Sequence, residues 1–521
     1  MLILGQVFTK LVTFVLNQLL IRYISPQTFG ISVYLEFLVN TVLFFSREGE
    51  RLAIQRTENL GHDQKFDDKL YHDKSDLGKL QSIVNFGFIP IIIGIPISFI
   101  IGLWQYKSVD SSLFAIPYIN YTFSTLVVAI LLELLIEPIY SINQYELNFK
   151  IRSKFEGLAI FVKCIVTFVG IMYLNQTSNN SPGLAILCFA LGQLSYALIL
   201  FGCYMYNFAN FKQIHYSIEK IWVTKDNYYY FNPQILKIWK NLFIQMIFKH
   251  FLTEGDKLII NYWINVEQQA VFAVVSNYGS ILARLFFQPI EESMRLLFTR
   301  ILSQPSQDSQ IRSLNILSNL SIFYLNLSVL LVLGGITNGS FLLKNVLGGS
   351  KADQWKNSNI FEIFPQYIGY LTLMAFNGIY EAFFLAIATN NQIQKFSYFM
   401  SISCLIVIGI SYLTIYKLQM GLTGLIIANL INMILRISYC SIQIKKYYRD
   451  KINIKVTVIS GLKYIIIYTI FQSIQLYFNK TWFSENFKQF FTSVGVCLLC
   501  LLVQVLQERK RILAMIKPKR E

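Results

Sequence analysis

Fourteen stretches of the chain are mostly apolar for about 20 residues, the length a helix needs to cross bilayer hydrocarbon, and polar segments part them. They cover 2–21, 28–46, 82–104, 116–140, 155–174, 183–206, 241–263, 270–294, 313–337, 362–388, 396–416, 421–444, 460–478 and 489–507. The pattern predicts an all-α polytopic membrane protein of about 14 transmembrane helices. Two stretches are weaker than the rest: one holds KHFLTEGDK (249–257), and the other ends in QPIEES (288–293). The first stretch does not read as a signal peptide, since it has no basic start and Lys10 interrupts it.

A weak repeat divides the series. Gln6 and Lys10 match Gln245 and Lys249 at an offset of 239, and Leu-Phe-Phe recurs at 43–45 and 285–287. The repeat predicts two pseudo-symmetric six-helix lobes, 1–207 and 241–445, running in parallel. Between them, 208–240 reads as an aromatic, basic cytosolic linker, amphipathic and partly on the membrane surface. Residues 446–507 add two helices, and 508–521 form a basic cytosolic tail. The loop 47–81 carries mixed charges and reads as solvated, and 338–361 is the longest lumenal loop.

Composition narrows the class. The 521 residues are 54% hydrophobic and only 14% charged, against about a quarter charged in soluble chains. That excludes a soluble enzyme and a disordered chain. The net charge of +16 raises nucleic-acid binding, and its distribution answers the point. Loops after even-numbered spans plus the tail hold 30 Lys and Arg, and loops after odd-numbered spans hold 8. By the positive-inside rule both termini are cytosolic. The charge then faces anionic lipid headgroups rather than nucleic acid. The glycosylation sequons at Asn175, Asn179, Asn338 and Asn479 all fall in loops this topology makes lumenal.

Seven cations remain inside spans: Lys10, Lys163, Lys249, Lys257, Arg284, Arg436 and Lys463. Glu36, Glu133, Glu137, Glu254, Asp256, Glu291 and Glu381 join them there. Each costs about 2.5–3.5 kcal/mol at the bilayer centre, so a polar cavity or ion pairs are expected. Lys163 and Lys463 are placed to snorkel to an interface. Glu133 and Glu137, one turn apart before Pro138, read as a structural cap near the cytosolic face. In the seventh span His250, Glu254 and Lys257 share one face, and Lys249, Thr253 and Asp256 another. Either a self-neutralising ladder or a site unwound at Gly255 fits that spacing. In the eighth, Arg284, Gln288, Glu291 and Arg295 form one stripe, with a kink expected at Pro289. Arg284 needs a partner or an anionic ligand.

No GxxxxGK[ST] loop is present, which argues against direct ATP drive. Cys164, Cys188, Cys203, Cys404, Cys440, Cys497 and Cys500 all lie in spans and read as packing. His62, His72, His215 and His250 are scattered, so neither a metal site nor a cofactor is expected. Asp67-Asp68 is the nearest thing to a glycosyltransferase motif.

LLIRYISPQTFGI (19–31), VLFFSREGERLA (42–53), FKHFLTEGDKLII (248–260), SNYGSILARLFFQPIEES (276–293), NGIYEAFF (377–384) and GLIIANLINMILRISY (424–439) resemble the eukaryotic RFT-type oligosaccharide translocation family. That family is similar to the multidrug/oligosaccharidyl-lipid/polysaccharide exporters. The resemblance covers essentially the whole chain and implies two six-helix lobes around a central cavity, with two further helices. It implies an endoplasmic reticulum protein that serves N-glycosylation. The implied substrate is dolichol diphosphate bearing a mannose-rich heptasaccharide, moved from the cytosolic to the lumenal leaflet. Two departures stand out: the first span starts at Met1 without a polar tail, and Gly49-Glu50 is more acidic than relatives usually are there.

Moving a diphosphate through hydrocarbon calls for fixed cations, and arginine suits it because its fork binds phosphate oxygens bidentately. The candidates are Arg22, Arg47, Arg51, Arg284 and Arg436, with Lys10 and Lys249 behind them. Glu254, Asp256, Lys257, Glu291 and Glu381 are the expected supporting ion pairs, and Asn377, Asn429 and Asn432 the expected sugar contacts. The alternative is a non-transporting accessory that binds the same lipid. A drug or ion antiporter would predict an acidic cavity, which the buried cations disfavour.

Overall fold

The computed structural model describes residues 15–516 apart from 17, 56–70, 74, 109–115, 147, 178–180, 210, 212, 225–226, 241, 245, 248–262, 303–305, 349–351 and 449–453. Its helices are α1 (Pro26–Gln55), α2 (Asp76–Phe86), α3 (Ile89–Ser108), α4 (Ile119–Tyr145), α5 (Phe149–Gln176) and α6 (Pro182–Phe208). After a short hairpin come α7 (Val266–Leu282), α8 (Gln288–Leu302), α9 (Gln307–Leu330), α10 (Thr337–Val346) and α11 (Ala352–Lys356). The series ends with α12 (Ile360–Ile387), α13 (Asn390–Ser411), α14 (Gly421–Tyr447), α15 (Ile454–Asn479) and α16 (Phe487–Ile516). Among the described residues ten helices are long and apolar enough to cross a membrane, each on an expected stretch. Of the other expected stretches, 2–21 and 241–263 fall largely outside the described residues. The stretch 270–294 lies in α7 and α8, and 460–478 in α15.

The chain divides into two compact units, Met1–Lys257 with Gly349–Lys351, and Leu258–Gly348 with Ala352–Glu521. In the first, α4 and α6 pack Ile136, Ile139, Tyr140, Leu200 and Tyr204 together with Ala159 of α5. In the second, Phe287, Phe298, Leu317, Tyr324, Ile379, Phe383 and Tyr448 form the core between α8, α9, α12 and the end of α14. Many large apolar side chains, Phe99, Leu405 and Leu506 among them, point outward instead. A water-soluble chain would bury them; a bilayer solvates them.

Three helices loosen into π-turns, at Ala283–Phe287, Leu331–Ile336 and Tyr412–Lys417. The first has a covalent cause. Pro289 has no N–H to give the preceding turn, and Gln288 N–H reaches back five residues to Ala283 O. The extra residue per turn shifts the helical phase. Glu291 and Arg295 of the expected stripe pair at 3.0 Å.

The segment between spans six and seven carries a short hairpin. Strands β1 (Ile221–Thr224) and β2 (Asn227–Tyr229) form an antiparallel hairpin with Ile221 opposite Tyr229 and Trp222 opposite Tyr228. The hairpin is held by the supposedly free loop 47–81. The start of that loop is the last turns of α1, and its end is α2. Asp73 N–H donates to Trp222 O (2.9 Å) and Trp222 N–H to Tyr71 O (2.8 Å). The Tyr216 hydroxyl donates to Leu135 O at 2.5 Å, and burial pushes its pKa up to about 12.

Two of the four sequons, at Asn338 and Asn479, lose their topological weight. Asn338 sits in α10, not in a loop, is 4% exposed and donates to Ser493 Oγ at 2.7 Å. Asn479 is equally enclosed and donates to Gln489 O at 3.2 Å. Neither amide has room for a glycan in the folded protein. Ser493 also accepts from Gln475 (2.8 Å), so this polar knot ties α15 and α16 to α10.

Candidate functional site

α1 is 30 residues long, about 45 Å at 1.5 Å per residue. Its first twenty residues are enough to span hydrocarbon, so Arg47 and Arg51 fall where the helix leaves it. They meet Glu133 and Glu137 of α4. Arg47 Nη1 donates to Glu133 Oε2 at 3.0 Å and lies 3.8 Å from Glu137 Oε1. Arg51 grips Glu137 with both prongs, Nε to Oε2 at 3.0 Å and Nη2 to Oε1 at 2.5 Å. Gln193 of α6 donates to the other oxygen of Glu133 at 2.9 Å. The Arg51 guanidinium stacks 3.8 Å over the Tyr140 ring, and Arg152 approaches the same ring at 5.6 Å. Both carboxylates are buried, so the pair read as a structural cap is an enclosed ion-pair cluster. Arg47, Arg51, Glu133, Glu137, Tyr140, Glu156, Tyr196 and Tyr204 line a cavity. Within it the hydroxyls of Tyr140 and Tyr204 have no partner among the described residues. A polar pocket with unfilled donors is a place for water or a polyol.

The second unit holds a smaller cluster. Arg436 of α14 pairs with Glu381 of α12, Nη2 to Oε2 at 2.5 Å. Asn377, one turn before Glu381, donates to the same oxygen at 3.3 Å. Glu291 of α8 comes up against α12 where Gly378 leaves room: a Cβ there would stand 2.6 Å from its Oε2. Arg436 Nε and Asn377 Oδ1 are buried and have no hydrogen-bond partner among the described residues. Asn429, Asn432 and Arg436 share one face of α14 at helical spacing.

The predicted residues therefore separate. Arg47 and Arg51 share one cluster, and Arg436, Glu381 and Asn377 share another, with Glu291 alongside. Arg22 lies in the turn before α1, its N–H on Leu19 O at 3.2 Å, about 30 Å of helix away from Arg47. The backbone of Arg284 is in the first π-turn, and its side chain lies outside what is described. Lys10, Lys249, Glu254, Asp256 and Lys257 also lie outside the described residues. Lys163 and Lys463 do not snorkel freely. Lys163 pairs with the exposed Glu36 at 2.8 Å and Lys463 with the buried Glu508 at 3.0 Å, a countercharge within reach of each stem.

Gln193, Tyr196, Tyr204 and Ser141 escaped the sequence reading, and Glu50 entered it only as an unusually acidic position. One signal pointed at their neighbours: Glu133 and Glu137 recur as Asn377 and Glu381 at an offset of 244, a second trace of the repeat. Gly87, between α2 and α3, sets the position of α4 in this cluster. A Cβ on it would lie 2.5 Å from Pro138 Cα and 2.8 Å from Ser141 Oγ. Backbone cannot yield as a side-chain tip can. Gly87→Ala is expected to cost about 1–3 kcal/mol, as overpacking does, seen as a lowered unfolding midpoint of the purified protein.

The family model described as "Rft protein" matches residues 1–518. The chain belongs to the Rft protein family. It is 43% identical to the Candida albicans "Man(5)GlcNAc(2)-PP-dolichol translocation protein RFT1", over 98% of this chain and 92% of that protein. The Saccharomyces cerevisiae protein of the same name is 40% identical over 86% of this chain and 82% of its own length. Among solved structures, the lipid II flippase MurJ in an inward closed conformation superposes with a TM-score of 0.57 at 16% identity. The match covers 97% of this chain and 99% of MurJ. An inward-facing multidrug MATE transporter gives 0.52 at 12% identity, over 84% of this chain and 96% of that one. These two likenesses show that Rft proteins share the MurJ and MATE fold.

Proposed function

We propose that this Rft protein translocates a dolichol-diphosphate-linked, mannose-rich oligosaccharide across the endoplasmic reticulum membrane, from the cytosolic to the lumenal leaflet. The observation that carries the reading is kinship along nearly the whole chain with proteins named for that translocation. The lysine and arginine bias supports cytosolic termini and an anionic-lipid-facing cytosolic surface. In this reading the protein is a transporter and not an enzyme. It works with two lobes, 1–207 and 241–445, and the diphosphate exchanges for carboxylates at the arginines. Glu133 and Glu137 hold Arg47 and Arg51, and Glu381 holds Arg436, until the headgroup takes their place. Arg22, Arg284, Lys10 and Lys249 extend the cationic path, while Asn429 and Asn432 face sugar hydroxyls.

One observation favours the accessory reading. Arg47, Arg51 and Arg436 are already neutralised by carboxylates, and a binder that never cycles would leave them so. Reconstitution separates the two. Purified protein in liposomes is expected to move labelled lipid-linked oligosaccharide between leaflets. The charge-neutral double variant Arg436→Gln with Glu381→Gln should lower that rate at least about ten-fold, the loss expected for one charge-assisted bond. If liposomes hold the lipid tightly but show no movement, the accessory reading replaces this one.

A further inference from the structure

Glu50, like Glu137 across from it, is fully enclosed at the α1–α4 contact, with 0% exposure. Its charged and titratable surroundings come from several elements. α1 supplies Glu48 and Arg51, and α4 supplies Glu137 and Tyr140, with the Arg47–Glu133 pair one turn on. α6 supplies Gln193 to Glu133 and Tyr196 to the cavity wall. Trp239 packs beside Ala53 and Ile54, and Phe243 meets Gly49, an apolar cover on the far side.

Three facts bear on its charge. Among the described residues, the cations in ion-pair contact with the three acids buried here, Glu50, Glu133 and Glu137, are Arg47 and Arg51, one acid too many. The Ser141 hydroxyl lies 2.7 Å from Glu50 Oε1 and 2.8 Å from the Glu137 carbonyl oxygen. A hydroxyl has one hydrogen, so it cannot donate to both. If Glu50 were a carboxylate, one of those two contacts would set oxygen against oxygen with no hydrogen between. If Glu50 carries a proton, it donates to Ser141 Oγ, Ser141 donates to Glu137 O, and both contacts are bonds. Last, Glu50 Oε2 is buried with no hydrogen-bond partner among the described residues. That is a tolerable state for the carbonyl oxygen of an acid and a costly one for a charged oxygen.

We propose that Glu50 is a proton-binding site, a neutral acid while α1 and α4 are packed. It releases its proton to water when they part. The ligand is the proton itself, taken from solvent and returned to it. By linkage, acid then favours the packed arrangement and alkali the parted one. The site goes beyond the translocation reading and does not rest on it, since the proton is bound whatever the cargo.

Infrared spectroscopy of the full-length protein in nanodiscs tests the site directly. The wild type is expected to show a carboxylic-acid C=O band near neutral pH that is lost in Glu50→Gln. In Ser141→Ala the band should persist and move to higher frequency, because the acid proton has lost its acceptor. Alkaline pH should lower the unfolding midpoint of the wild type more than that of Glu50→Gln. Wild-type and Glu50→Gln spectra that superpose in this region would overturn the proposal. So would a band that Ser141→Ala leaves unmoved, a result that stands even if Glu50→Gln fails to fold.

Discussion

Arg51→Ala is expected to destabilise the first unit by about 3–5 kcal/mol, the cost of leaving a buried charge without its partner. The estimate follows from what surrounds Glu137. Its carboxylate is 1% exposed, and both of its oxygens take hydrogen bonds from Arg51, at 3.0 and 2.5 Å. Arg47 is too distant to take over, at 3.8 Å and already engaged with Glu133. The same substitution strips the Tyr140 ring of its cation, worth roughly 1–2 kcal/mol where water is excluded. The paired variant Arg51→Gln with Glu137→Gln should recover most of the loss, because two neutral amides leave no charge stranded. Denaturant unfolding of the purified protein measures all three. An Arg51→Ala cost below about 1 kcal/mol, the range of exposed pairs, would mean that water reaches Glu137 and that the cluster is not a closed one.

The hydrophobic pattern carried the helices well because a bilayer leaves little choice. Every backbone group in hydrocarbon must be paired within a helix, so span length alone names the element. What it did not carry was partnership. Lys163 looks like a snorkelling lysine until Glu36, 127 residues away, is placed 2.8 Å from it. Glu133 and Glu137 look like a cap until α1 brings two guanidiniums to them. Spacing along one helix reveals a face; which helix covers that face is a tertiary fact. A helical wheel also assumes a constant 3.6-residue turn, and the π-turn before Pro289 is a departure from it that no periodicity announces. The hairpin in the linker was not legible because aromatic and basic residues are the composition of a membrane-surface segment and of a β-hairpin alike. The acids and amides that decide between those lie in another segment, 71–86.

Asn85→Ala is expected to free that hairpin. Asn85 is fully buried in α2 and works at both ends of its amide. Its Nδ2 donates to Glu219 O at 2.6 Å and to Tyr230 O at 2.8 Å, and its Oδ1 accepts from Glu219 N–H at 3.0 Å. Alanine leaves those three backbone groups with nothing to bond inside the packed segment. At about 1–3 kcal/mol for each one orphaned, local opening becomes cheaper by roughly 3 kcal/mol after partial access of water. That is on the order of 100-fold in the open population. Cleavage at Lys220, exposed but held between two anchored residues, reports it, since proteolysis of a briefly opened segment follows the open population. Trypsin should therefore cut there about 100-fold faster in the variant, with the unfolding midpoint of the helices little changed. Gln81, one turn earlier and donating to Asn85 Oδ1 at 3.4 Å, clamps His215 O, Ser217 O and His215 N–H. It anchors the chain before Lys220, so Gln81→Ala should also speed cleavage, and because the two amides touch, the double variant should depart from the sum of the single effects. A rate within three-fold of the wild type in Asn85→Ala would show that the strands hold themselves and that α2 merely lies beside them.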